Sequence, residues 1–107
     1  MEDQSDEIRG KIKELLIDCG YNPISVDFER PLPNNVKHRI HVLCEAKDAP
    51  NSSLLIDATI LYNRKLRIRI TDRSTFKSRV ETFTSNDPIL KLFEFIKDEL
   101  TNLQFTD

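Results

Sequence analysis

The sequence contains no tryptophan and only two glycines, Gly10 and Gly20. Loops that cradle phosphates need closely spaced glycines, so neither a P-loop nor a dinucleotide-binding G-x-G-x-x-G turn fits this chain, and it has no G-x-S-x-G nucleophile elbow. Cysteine is scarce as well. Cys19 and Cys44 lie far apart within apolar-periodic segments, which suits buried reduced thiols rather than a disulfide or a metal site. The two histidines, His38 and His41, have no paired cysteines and no H-x-x-x-H spacing, which argues against zinc. No run approaches the roughly 20 apolar residues of a membrane-spanning helix, and the acidic start MEDQSDE is the reverse of a signal peptide's positive one. A cytoplasmic protein with no membrane partner is expected.

What is present is the composition of a folded domain. Of 107 residues, 38% are hydrophobic and 32% charged, and this length bounds one domain with a single modest core. After Ser5, a candidate N-cap, Ile8, Ile12, Leu15, Leu16 and Cys19 form one face of a helix that Gly20 can end in a left-handed conformation. Ile24, Val26 and Phe28 then alternate with Ser25, Asp27 and Glu29. RPLPNN reads as a loop, and from Val36 to Ala46 even-numbered residues are mostly apolar, with His38 among them and His41 on the opposite, wet side. DAPNSS reads as a turn into Leu54–Tyr62. A three-residue loop Asn63-Arg64-Lys65 would oppose Tyr62 to Leu66, Ile60 to Ile68 and Ala58 to Ile70, placing Tyr62 on the apolar face.

STFKSRVETFT predicts a weaker edge strand, because Phe76, Val80 and Phe83 do not alternate cleanly; pattern alone leaves Phe76 and Phe83 between core and surface. Asp87 caps a last helix with Pro88 at its first position. Ile89, Leu92, Phe93, Ile96, Leu100 and Leu103 form its apolar face, and Leu90 and Phe95 fall partly outside it. The order α-β-β-β-β-(β)-α predicts an α+β domain: an antiparallel meander of four to five strands with both helices on one face and the other face open to water.

Two features carry chemistry. At HVLCEAKD, Glu45 and Lys47, together with Asp27, resemble the PD-(D/E)XK nuclease superfamily. The resemblance implies two carboxylates holding Mg²⁺ or Mn²⁺ and a lysine orienting water. It departs in having Val26 where the family has proline before the acid, and a turn and hairpin where the family has a helix after E-x-K. Cross-strand ion pairs among Asp27, Arg39, Glu45 and Lys47 are the structural alternative.

The second feature is RKLRIRITDRSTFKSR, residues 64–79. Arg64, Lys65, Arg67, Arg69, Arg73, Lys77 and Arg79 stand against one acid, Asp72, a local charge of +6 in a chain whose total is −2. Arg67 and Arg69 share the exposed side and suit phosphates or an acidic protein segment, unless Asp27, Glu29, Glu45 and Asp57 neutralise them in a solvated lattice. The element order also resembles that of double-stranded-RNA-binding domains, although DPILKLFEFIKDEL lacks the lysine-rich start of that family's last helix.

The resulting expectation is a small non-catalytic binding or adaptor module. It would recognise another protein through its open sheet face or through Leu90 and Phe95 on the last helix. The alternatives are nucleic-acid binding by the 64–79 hairpin and a metal-dependent nuclease built on Asp27, Glu45 and Lys47. No cofactor is expected outside the nuclease reading, and homodimerisation through an edge strand is compatible with the pattern.

Overall fold

The computed structural model describes residues 4–104; residues 1–3, part of the acidic start, and residues 105–107 lie outside it, as do the side chains of Pro50, Leu103 and Gln104. Helix α1 (Ser5–Asp18) leads into five strands, β1 (Tyr21–Phe28), β2 (Val36–Ala46), β3 (Ala49–Leu61), β4 (Lys65–Asp72) and β5 (Lys77–Thr84), and helix α2 (Pro88–Gln104) follows. The strands form one antiparallel sheet in the order β1-β2-β3-β4-β5. Each strand pairs with its sequence neighbour, as short connections dictate. The expected α+β meander is therefore the fold found. No helix among the described residues is long and apolar enough to cross a membrane.

The core is one cluster between the sheet and the two helices. Ile8, Ile12 and Leu16 of α1 and Leu92, Phe95, Ile96 and Leu100 of α2 meet the inward residues Val26, Ile40, Val42, Cys44, Ile56, Ala58, Ile60, Leu66 and Ile68. Period-2 and period-3.6 patterns thus converge on one layer. Cys19 and Cys44 are free and buried, and burial pushes the Cys44 thiol up to about 12.

Local chemistry sets the element ends, with some departures from expectation. Gly20 follows α1 with φ 85°, a left-handed conformation that costs a residue with a Cβ roughly 1–2 kcal/mol. Ser5 is not a cap: it lies inside the helix, buried, and its Oγ accepts a hydrogen bond from Arg30 Nη2 at 3.1 Å. Asp87 does cap α2, its Oδ1 accepting from the Leu90 N–H at 3.1 Å. In β3 the strand starts at Ala49, which pairs Ala46, and Ser53 pairs Glu45; Asn51 and Ser52 fall in the register shift between them rather than in the turn.

Ile24 is 51% exposed rather than inward. The register shifts between Pro23 and Ser25, and this bulge turns Ile24 out of the alternation. The β3–β4 hairpin has a three-residue loop, but it is Tyr62-Asn63-Arg64: Ile60 opposes Leu66, Ala58 opposes Ile68 and Ile56 opposes Ile70. Arg64 takes φ 70° at the loop's third position, and its N–H bonds Leu61 O at 3.3 Å. Apolar parity survives this two-residue shift in register, but Tyr62 leaves the core face and is 66% exposed.

The two sheet edges differ. Along β1 stand Pro23 and the bulge, and Arg9 Nε of α1 donates to Val26 O at 3.0 Å. Along β5, α2 meets inward side chains: Phe83 packs edge-on against Phe95 at 5.5 Å, Lys91 Nζ lies 4.8 Å from the Phe83 ring centroid, and Arg79 pairs with Glu99.

Candidate functional site

Both helices lie on one side of the sheet, and the other face is left to odd-numbered residues of β2, β3 and β4 and even-numbered residues of β5. Two rows cross it from strand to strand. One runs Asp27, His41, Asp57, Arg69, Val80; the next runs Glu29, Arg39, Thr59, Arg67, Thr82, with Glu29 joined through its N–H to Arg39 O at 2.9 Å. Strand pairing alone thus alternates acids and bases along the first row, while the second sets Thr59 between Arg39 and Arg67.

His41 is the hub of the acidic half. Its Nδ1 lies 2.6 Å from Asp57 Oδ1 and its Nε2 2.9 Å from Glu29 Oε1, and Glu29 Oε2 accepts from Arg39 Nη1 at 3.4 Å. Ionised carboxylates only accept, so both bonds exist together only when both ring nitrogens carry protons. The hydrogen bond to Asp57 and then that to Glu29 raise the His41 pKa above its ordinary 6.5, outweighing partial burial. The same His41 bond, aided by Arg39, lowers Glu29 below its ordinary 4.5.

A histidine whose pKa is higher folded than unfolded contributes stability that is fully present below the unfolded value and is lost as pH rises through the folded one. A depressed glutamate contributes above its unfolded value and loses that contribution as pH falls through the folded one. The Glu29–His41–Asp57 link is therefore strongest between pH 4.5 and 6.5. The urea midpoint should fall as pH rises from about 6 to about 9, and His41→Gln should flatten that slope. An unchanged slope in the variant would remove His41 as its source.

The seven basic residues do not form one stripe. Lys65, Arg67 and Arg69 stand at alternate positions of β4 on the open face, exposed, and among the described residues none of their side chains has an ion-pair or hydrogen-bond partner. Arg64 sits at the hairpin tip, its Nη1 donating to Asn86 Oδ1 at 3.0 Å. Arg73 lies in the turn after β4, tied by its N–H to Ser53 O at 3.0 Å. Lys77 and Arg79 have the opposite parity on β5, opposing Asp72 and Ile70, and point to the helix side.

The expected neutralisation is also partial. Asp57 opposes Arg69 in the ladder, yet its carboxylate bonds His41, and Glu29 bonds His41 and Arg39. Two acids of the face, Glu29 and Asp57, are thus engaged within β1–β3 rather than with the β4 cations. Comparison with protein-family models, curated proteins and solved structures finds no match. The site therefore rests on its own geometry.

The Asp27, Glu45 and Lys47 set is not assembled. Asp27 opposes His41 and Glu45 opposes Asn22, four residues farther along β2, a separation of about 13 Å at strand rise. Carboxylates that far apart cannot share a cation bound at about 2.0–2.6 Å, and Lys47 lies exposed in the β2–β3 turn. Leu90 is 52% exposed as expected, but Phe95 is 9% exposed and belongs to the core. The buried stripe starts one turn later than Ile89, at Leu92, Phe95, Ile96 and Leu100, with Ile89, Phe93 and Glu99 at its rim.

Phe76 and Phe83 separate cleanly. Phe76 is 83% exposed at φ 60° in the β4–β5 turn, whereas Phe83 packs on the core. Exposed aromatics thus stand in the turns at both ends of β4. Glu29 and Asp57 were visible in the sequence as acids of the wet face; their convergence on His41 was not, and the His41–Asp57 pairing follows once the β2–β3 register is known.

Proposed function

We propose that this protein is a small non-catalytic binding module, cytoplasmic in location, whose open sheet face recognises an acidic segment of a partner protein. The observation that carries the reading is the row Lys65, Arg67, Arg69, three cations about 7 Å apart along one strand, without partners among the described residues. Guanidinium groups so placed can receive successive carboxylates bidentately. Both ring nitrogens of His41 face carboxylates, so that histidine serves as a clamp for acids of its own face rather than as a general base. Two buried free thiols suit a reducing compartment.

A single-stranded nucleic acid is the second reading. It is favoured by Tyr62 and Phe76, exposed at the two ends of the cationic strand where bases could stack. One experiment separates the two. The purified protein is titrated with an oligoglutamate peptide and with a single-stranded oligonucleotide over a range of salt. Arg67→Ala with Arg69→Ala should weaken binding of the true ligand class and, for the single-stranded nucleic acid, lower the salt slope by about 1.4. Tyr62→Ala with Phe76→Ala should weaken the oligonucleotide alone. Affinity for both probes unchanged by removal of the two arginines would sink the reading of this face.

A further inference from the structure

Strand β5 ends the sheet, and among the described residues no strand pairs with its outer backbone side. Ser85 N–H donates to Arg64 O at 3.0 Å, which makes 64 and 85 a hydrogen-bonded pair in the β4–β5 register. Antiparallel ladders alternate, so residues 79, 81 and 83 also turn their N–H and C=O groups toward β4. Ser78, Val80, Thr82 and Thr84 turn theirs outward. A row of such groups is a template for another strand.

We infer that the strand it accepts is β5 of a second copy, antiparallel about a two-fold axis through Val80. The register follows from parity and charge. Outward-turned residues must pair with outward-turned residues, so only shifts in steps of two along the strand are open. Centring on Arg79 would oppose Arg79 to itself, and centring on Glu81 would oppose Glu81 to itself, each a like-charge contact. Centring on Val80 opposes Arg79 to Glu81 twice, once on each side of the axis, and pairs Ser78 with Thr82 and Val80 with Val80.

The geometry favours the same choice. Arg79 and Glu81 fall at a position without mutual hydrogen bonds, where side chains of facing strands come closest. Val80, 38% exposed on the open face, would meet its own copy. Glu99 already orders the Arg79 guanidinium, whose remaining donors can reach a second carboxylate. This inference does not depend on what the open face binds.

The test uses sedimentation equilibrium on the full chain, with circular dichroism confirming that each variant is folded. Wild type should dimerise. Glu81→Lys opposes Arg79 to a lysine and Arg79→Glu opposes two glutamates, so each alone should weaken dimerisation by about tenfold or more. An equimolar mixture of the two restores both opposite-charge pairs and should form a heterodimer. If Arg79→Glu fails to fold, oxidation supplies the second measurement. Val80→Cys places two thiols on the axis with Cα atoms about 5.5 Å apart and should cross-link. Thr82→Cys, whose own copy lies about 13 Å away along the strand, should not. A wild type that stays monomeric at high concentration, or a dimer indifferent to Glu81→Lys and not cross-linked through Val80→Cys, would overturn the proposal.

Discussion

Phe95→Asp should abolish or nearly abolish folding, whereas Leu90→Asp on the same helix should leave stability unchanged within about 0.5 kcal/mol. Phe95 is buried, packs edge-on against Phe83 and joins the cluster between α2 and the sheet. Removing a buried phenyl ring alone costs about 3–5 kcal/mol, and a carboxylate in its place is an added charge with no designed partner. A domain of this size holds only about 5–15 kcal/mol in total. Leu90, by contrast, already faces water. Far-ultraviolet circular dichroism and urea titration of the two variants decide the matter: equal effects would mean that the buried stripe of α2 is misplaced.

The second large effect concerns the helix-to-helix seam. Ile12 of α1 is fully buried, while Ile17 of the same helix is exposed. Ile12→Ala should cost about 2–5 kcal/mol by lost burial and a residual cavity, and Ile17→Ala should stay within about 0.5 kcal/mol. The readout is the urea midpoint at constant m-value. A small loss at Ile12 would show that α1 contributes little to the core, despite its packing on β1 and α2.

These contrasts also mark what was legible in the sequence. Strand parity was readable because one sheet face is dry and the other wet: Val36 through Ala46 alternate as written, and the inward set of β3 and β4 follows. Position along a strand was not, because a two-residue slip of the hairpin keeps every face and changes only the partners. Asn63 and Arg64 could each sit in several places of a three-residue loop, and the left-handed conformation fell to Arg64, a residue with no strong preference for it. Ile24 was misread for a similar reason, since a bulge next to Pro23 leaves no mark on composition. For the site, the surplus of cations in residues 64–79 was visible, but its division was not. Only the β4–β5 ladder shows that Arg79 goes to α2 while Lys65, Arg67 and Arg69 stay on the open face.

The hydrogen bond from Arg9 to Val26 O has a meaning beyond the stability of β1. A sheet able to accept strands at both ends is a polymerising unit, whose copies add head to tail into filaments. Here one end is closed by an arginine side chain from the covering helix, a proline and a bulge, so strands can be added only at the other. Joined at that end by a two-fold axis, two copies would spend their only growing edge on each other. Arg9, Pro23 and the bulge would then act together as a chain terminator, and what separates a finite assembly from an endless one would be the lock on the first strand rather than anything at the last.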